Sequence, residues 1–133
     1  MFVERIAYVD YDGNRREEDF RFNLTQAELM ELEFDTAGGL EETVKRMIDG
    51  LDSKSIGRLF KMIILKAYGE KSADGKRFVK SEELSKAFSE TEAYNILYMK
   101  LLTNEEFAKK FMSNLVPNVD PKTQNVPAPA IVR

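Results

Sequence analysis

The period of the apolar positions changes several times along the chain, and each change predicts an element. Residues 2–10 are rich in β-formers, and the Asp-Gly pair inside Tyr11-Asp12-Gly13-Asn14 then signals a tight turn. The return run Glu18-Asp19-Phe20-Arg21-Phe22-Asn23-Leu24 alternates polar and apolar, which predicts an antiparallel hairpin with Phe20, Phe22 and Leu24 toward the core. Thr25 stands three residues before Glu28, with Leu24 and Leu29 on either side of the start, the pattern of a capping box with a hydrophobic staple. The helix it opens is short, because Asp35-Thr36-Ala37-Gly38-Gly39 favours a turn.

Helical spacing then takes over. Leu40, Val44, Met47, Ile48 and Leu51 predict a helix over 40–51, and Ile56, Leu59, Phe60, Ile63, Ile64 and Ala67 predict a core helix over 54–68 with Gly69 as its stop. Met62 and Leu65 fall on the opposite face of that second helix, at about 100° per residue, among Lys54, Arg58 and Lys61. Apolar side chains set among cations make these five residues candidates for a partner surface, although a back-face Leu can equally meet a neighbouring helix of the same chain.

After a polar loop with Asp74-Gly75, the run Arg77-Phe78-Val79 reaches Ser81, an N-cap for a helix over 82–88. A helix over 90–102 follows, with Tyr94, Leu97, Tyr98 and Leu101 on one side. Thr103 and Glu106, flanked by Leu102 and Phe107, predict a further capping box and a last helix to about Leu115. All four prolines lie beyond it, so 117–133 reads as an extended or flexible tail. The fold class is α+β: a single domain over 1–116, with an N-terminal antiparallel β-hairpin followed by a mainly helical bundle of about five or six helices.

Composition narrows the chemistry. The 133 residues include no Cys and no His, which removes the thiolate nucleophile, the disulfide, the zinc-finger site and the usual general base. The start of the chain lacks a basic stretch followed by an apolar run, and no segment is apolar enough to span a bilayer, so a cytoplasmic protein with no membrane partner is expected. Net charge is only −3, but residues 1–52 carry 14 acidic and 6 basic side chains while residues 53–80 carry 2 acidic and 8 basic. Such a split could align subunits or a partner, or simply be an unevenly charged solvated surface.

Candidate sites built from acids have simpler readings. Glu70, Ser72 and Asp74 precede Gly75 as in a calcium loop, but Arg77 and Ser81 then occupy positions that need an apolar residue and a carboxylate. Asp10, Asp12 and Asn14 are good turn residues on the hairpin. Of the acid pairs Glu17-Glu18, Glu41-Glu42, Glu82-Glu83 and Glu105-Glu106, the last three fall in first turns of predicted helices, where the helix dipole favours negative charge. Gly38-Gly39 lacks the spacing of a nucleotide loop. No catalytic residue, metal ligand or cofactor site is nominated, and an enzyme is not expected. The basic run from Lys54 to Lys80 raises DNA binding as an alternative, disfavoured by a pI near 5.2.

Several blocks carry a resemblance: Tyr11-Asp12-Gly13-Asn14, the run Glu18 to Thr25, Gly38-Gly39-Leu40-Glu41-Glu42, the stretch Leu65 to Phe78, and Ser89-Glu90-Thr91-Glu92-Ala93-Tyr94. Over about residues 6–116 the chain resembles the tail assembly chaperones of long-tailed bacteriophages, encoded just ahead of the tape measure protein. The resemblance implies a non-enzymatic protein of the host bacterial cytoplasm, absent from the mature virion. It would hold the largely helical tape measure protein soluble and be displaced as tail-tube subunits polymerise. Its implied partners are the tape measure protein, further copies of itself and the tail-tube protein. Related chaperones are often made in two lengths by ribosomal frameshifting, and this chain resembles the short form, with its Pro-rich end as a junction. Alternatives are a structural head–tail or tail component retained in the virion, or a small DNA-binding regulator.

Overall fold

The structure, a computed structural model, describes residues 1–35, 38–39 and 53–115. The expected helix over 40–51 and the Pro-rich stretch 117–133 lie outside the described residues. Two strands open the chain, β1 (Phe2–Val9) and β2 (Arg15–Phe22), paired antiparallel from Phe2 opposite Phe22 to Val9 opposite Arg15. The turn between them is closed by Asp10, whose carboxylate accepts from the Asp12 and Asn14 N–H groups at 3.0 and 2.9 Å and from Arg16 Nε at 2.6 Å. Gly13 sits at φ +84°, a conformation that costs glycine little. Alternation then puts Phe2, Ile6, Phe20 and Phe22 on the buried face, while Arg5 pairs with Glu17 and Asp19 on the other.

The expected capping box starts α1 (Gln26–Asp35): the Glu28 N–H donates to Thr25 Oγ1 at 3.0 Å, and the Thr25 N–H donates to Glu28 Oε1 at 2.9 Å. The next described helix, α2 (Ser53–Ala67), ends one residue earlier than its periodicity predicts. Tyr68 passes directly into β3 (Tyr68–Lys71), which pairs with β2, and β4 (Phe78–Val79) pairs with β3, extending the hairpin to a four-stranded antiparallel sheet in the order β1-β2-β3-β4. Gly69 is therefore a strand residue and not the helix stop expected of it. The terminal Ala67 carbonyl accepts instead from the Asn23 N–H at 2.9 Å. Glycine is required at 69 because a Cβ there would lie 2.7 Å from both the Phe78 ring and the Val79 carbonyl oxygen.

Three helices follow: α3 (Glu82–Ser89), α4 (Glu92–Thr103) and α5 (Glu105–Leu115). Ser81 caps α3 as expected, accepting from the Leu84 N–H at 3.0 Å. The cap of α5 lies one residue beyond the Thr103 box. Asn104 Oδ1 accepts from the Phe107 N–H, while the Thr103 hydroxyl turns back to the Met99 carbonyl within α4. Asn is among the preferred N-caps, and Thr103 is still inside the preceding helix. The core lies between the sheet and these helices. Phe22 and Phe111 are fully buried, Phe2 meets Phe111 edge to face at 5.1 Å, and Tyr68 stacks on Phe88 at 4.3 Å.

Candidate interaction surface

The inner side of α2 is held by Leu59, Ile63, Ile64 and Ala67, all buried. Gly57 allows the helix to approach α4 closely, since a Cβ at that position would lie 2.7 Å from the Tyr98 hydroxyl. With that side fixed, helical geometry turns Lys54, Arg58, Lys61 and Met62 outward, and all four are exposed. Met62 keeps 40% of its surface in water. Leu65, on the same side, is half-buried and packs against the core. The five residues singled out from the sequence therefore share one flank of α2, with Leu65 contributing to packing as well.

Beyond Leu65 the flank opens into a groove of about 650 Å³ between α2, α3 and the start of α1. Lys61, Leu65 and Lys66 line it from α2, and Ser85, Lys86 and Ser89 from α3. Ser85 fixes the two helices together, its hydroxyl donating to the Leu65 carbonyl at 2.7 Å. One end is closed by Lys80, whose ammonium donates to both Glu28 oxygens at 2.7 and 2.8 Å and to the Asn23 carbonyl at 2.5 Å. Burial acts to raise the Glu28 carboxyl, but the Lys80 ammonium and the Thr25 N–H together hold it below its ordinary value. Lys80 is thus committed to the fold. Among the described residues Lys61, Lys66 and Lys86 make no ion pair, so three ammonium groups around a leucine side chain remain available. What this surface offers is positive charge, beside the carboxylate of Glu82, next to apolar area.

The acid clusters are explained by local structure. Asp74 closes the β3–β4 turn, accepting from the Ser72 hydroxyl at 2.7 Å and the Lys76 N–H at 3.0 Å, and these bonds lower its carboxyl. Glu82, Glu83, Glu105 and Glu106 occupy first turns of helices, whereas Glu41-Glu42 lies outside the described residues. Among the described residues no three acidic side chains converge as metal ligands. No described helix is long and apolar enough to cross a membrane.

A family model described as phage tail assembly chaperone matches residues 1–125. The chain belongs to the phage tail assembly chaperone family. No curated protein and no solved structure matches it. In this tail assembly chaperone the α2 flank was visible from residue spacing alone, but the contribution of α3 was not. Nothing in the spacing of Ser85 and Lys86 places them beside Leu65, and only the chain reversal through β3 and β4 does so. Sequence reasoning also passed over the exposed Met30 and Phe34 of α1, although Ala27, Met30, Glu31 and Phe34 already show helical i, i+3, i+4, i+7 spacing.

Proposed function

We propose that this tail assembly chaperone binds the tape measure protein and keeps it soluble for tail-tube assembly, without chemistry of its own, in the host cytoplasm and outside the finished virion. The match to the family over nearly the whole chain carries this reading. The client contact is assigned to the flank of α2, where Met62 and Leu65 lie among Lys54, Arg58 and Lys61. A long helical protein awaiting its tube exposes apolar stripes. A chaperone that covers them needs modest apolar area, adaptable side chains such as Met, and contacts weak enough for tube subunits to displace. Many weak contacts along one client still give tight overall capture.

The test is co-expression with the large tape-measure-like protein encoded immediately downstream. Client that is soluble and co-purifies only when this chain is present supports the proposal. Client that is equally soluble alone and never co-purifies contradicts it. Mass spectrometry of finished virions addresses the rival reading of a structural tail component, which would be retained in the particle where a chaperone is absent.

A further inference from the structure

The groove between α2 and α3 carries more positive charge than the fold uses. Lys61, Lys66, Lys80 and Lys86 line it, with Glu28 and Glu82 as its acids. Lys80 and Glu28 neutralise each other at the closed end. Three ammonium groups then stand against the Glu82 carboxylate, and none of these four makes an ion pair among the described residues. Leu65 is half-buried one turn beyond Lys61, and its carbonyl is bonded to Ser85, the residue before Lys86. The lining serine hydroxyls are engaged within the fold: Ser81 accepts from the Leu84 N–H, Ser85 donates to the Leu65 carbonyl and Ser89 donates to the Lys86 carbonyl. What is left to hold a ligand is ammonium charge from two helices around one aliphatic side chain.

We infer that this groove takes an acidic, aliphatic segment of the client: a Leu-, Ile- or Met-sized side chain on Leu65, with flanking carboxylates reaching Lys86 on one wall and Lys61 or Lys66 on the other. This rests on the reading of the α2 flank as the client contact and names the chemistry the client must present there. Lys61 belongs to both the outer flank and the groove, which joins the two into one surface. Complementary charge selects and orients a partner more than it tightens the complex, and exposed ion pairs are individually weak, so such contacts stay releasable. A volume of about 650 Å³ admits a few side chains of a segment and not a folded domain. Nucleic acid fits less well. The chain is acidic, with a pI near 5.2, Glu82 would face the phosphates, and no aromatic side chain lines the groove for bases to stack on.

The experiment probes the full chain with overlapping peptides that tile the downstream tape-measure-like protein, then measures the strongest binder by fluorescence anisotropy. Bound peptides should be net acidic with an aliphatic residue between carboxylates, and affinity should fall as salt is raised. Lys61→Glu with Lys86→Glu, both at exposed positions, should weaken binding roughly tenfold or more. Lys76→Glu with Lys110→Glu makes the same change in net charge at exposed positions outside the groove and should leave affinity within about twofold. Circular dichroism checks that each variant folds, and Lys86→Glu alone replaces the groove variant if the double change does not. Bound peptides that are neutral or basic, a groove variant that binds like the wild type, or an array with no bound peptide would each overturn the inference. Duplex DNA that binds more tightly than every peptide, and is lost in the groove variant, would overturn it in favour of nucleic acid. Client that co-purifies equally with wild type and groove variant overturns the inference and leaves the chaperone reading standing, whereas client captured by neither overturns both.

Discussion

The face of the sheet packed against α3, α4 and α5 and the outer flank of α1 and α2 treat their apolar residues differently. In the first region Phe2, Phe22, Tyr68, Phe88 and Phe111 are buried against one another, and even a surface charge is put to use, Lys100 pairing with Glu4 on β1 while lying 4.1 Å over the Phe107 ring. In the second, Met30, Phe34 and Met62 face water, and the cations of α2 make no ion pair among the described residues. The contrast lies between apolar side chains that hold the fold together and apolar side chains left exposed on one flank. Substitutions in the two regions should therefore act on different observables.

The largest loss of stability is expected at the centre of the first region. Phe22→Ala removes a fully buried ring that meets Phe2, Tyr68, Phe88 and Phe111, and should cost about 3 to 5 kcal/mol in denaturant unfolding. Gly69→Ala comes next, at about 1 to 3 kcal/mol, because the added methyl meets a backbone carbonyl as well as the Phe78 ring and the strands must part to admit it.

Between the regions stands the ion pair of Lys80 with Glu28. Lys80→Met should cost about 1 to 2 kcal/mol by leaving a part-buried carboxylate without its partner. The sign of its pH dependence follows from the lowered Glu28 carboxyl. The folded-state value lies below the ordinary 4.5, so the pair contributes fully above that pH and its contribution is lost as the pH falls through the folded-state value. Unfolding midpoints of wild type and Lys80→Met should therefore differ at neutral pH and converge in acid. The smallest effect on stability belongs to the second region. Lys61→Glu with Met62→Glu should shift it by no more than about 0.5 kcal/mol per site, both positions being exposed. Leu65→Glu would be a poorer probe, since that side chain also packs against the core.

How far the sequence could be read also differs between the regions. The first hairpin, the Thr25 box, the Ser81 cap and the inner stripe of α2 were all legible, because each rests on local periodicity or on a side chain capping its own helix. The second hairpin was not, since β3 has four residues and β4 two, too few to show alternation. Gly69 looked like a helix stop for the same local reason, while its real constraint is contact with Phe78 and Val79 across the strand pair. Of the candidate surface, the α2 flank followed from 100° geometry, but the groove beside it depends on where β3 and β4 return the chain to place α3 beside Leu65. That is long-range information, which spacing along one helix does not contain.

Client capture at the α2 flank requires that exposed residues there can be changed without loss of the fold. The most direct test co-expresses the downstream tape-measure-like protein with wild type and with the Lys61→Glu, Met62→Glu variant, and measures soluble client alongside the unfolding midpoint of each chaperone. The variant should unfold like the wild type and leave the client insoluble. A variant that unfolds normally and still keeps the client in solution would contradict it.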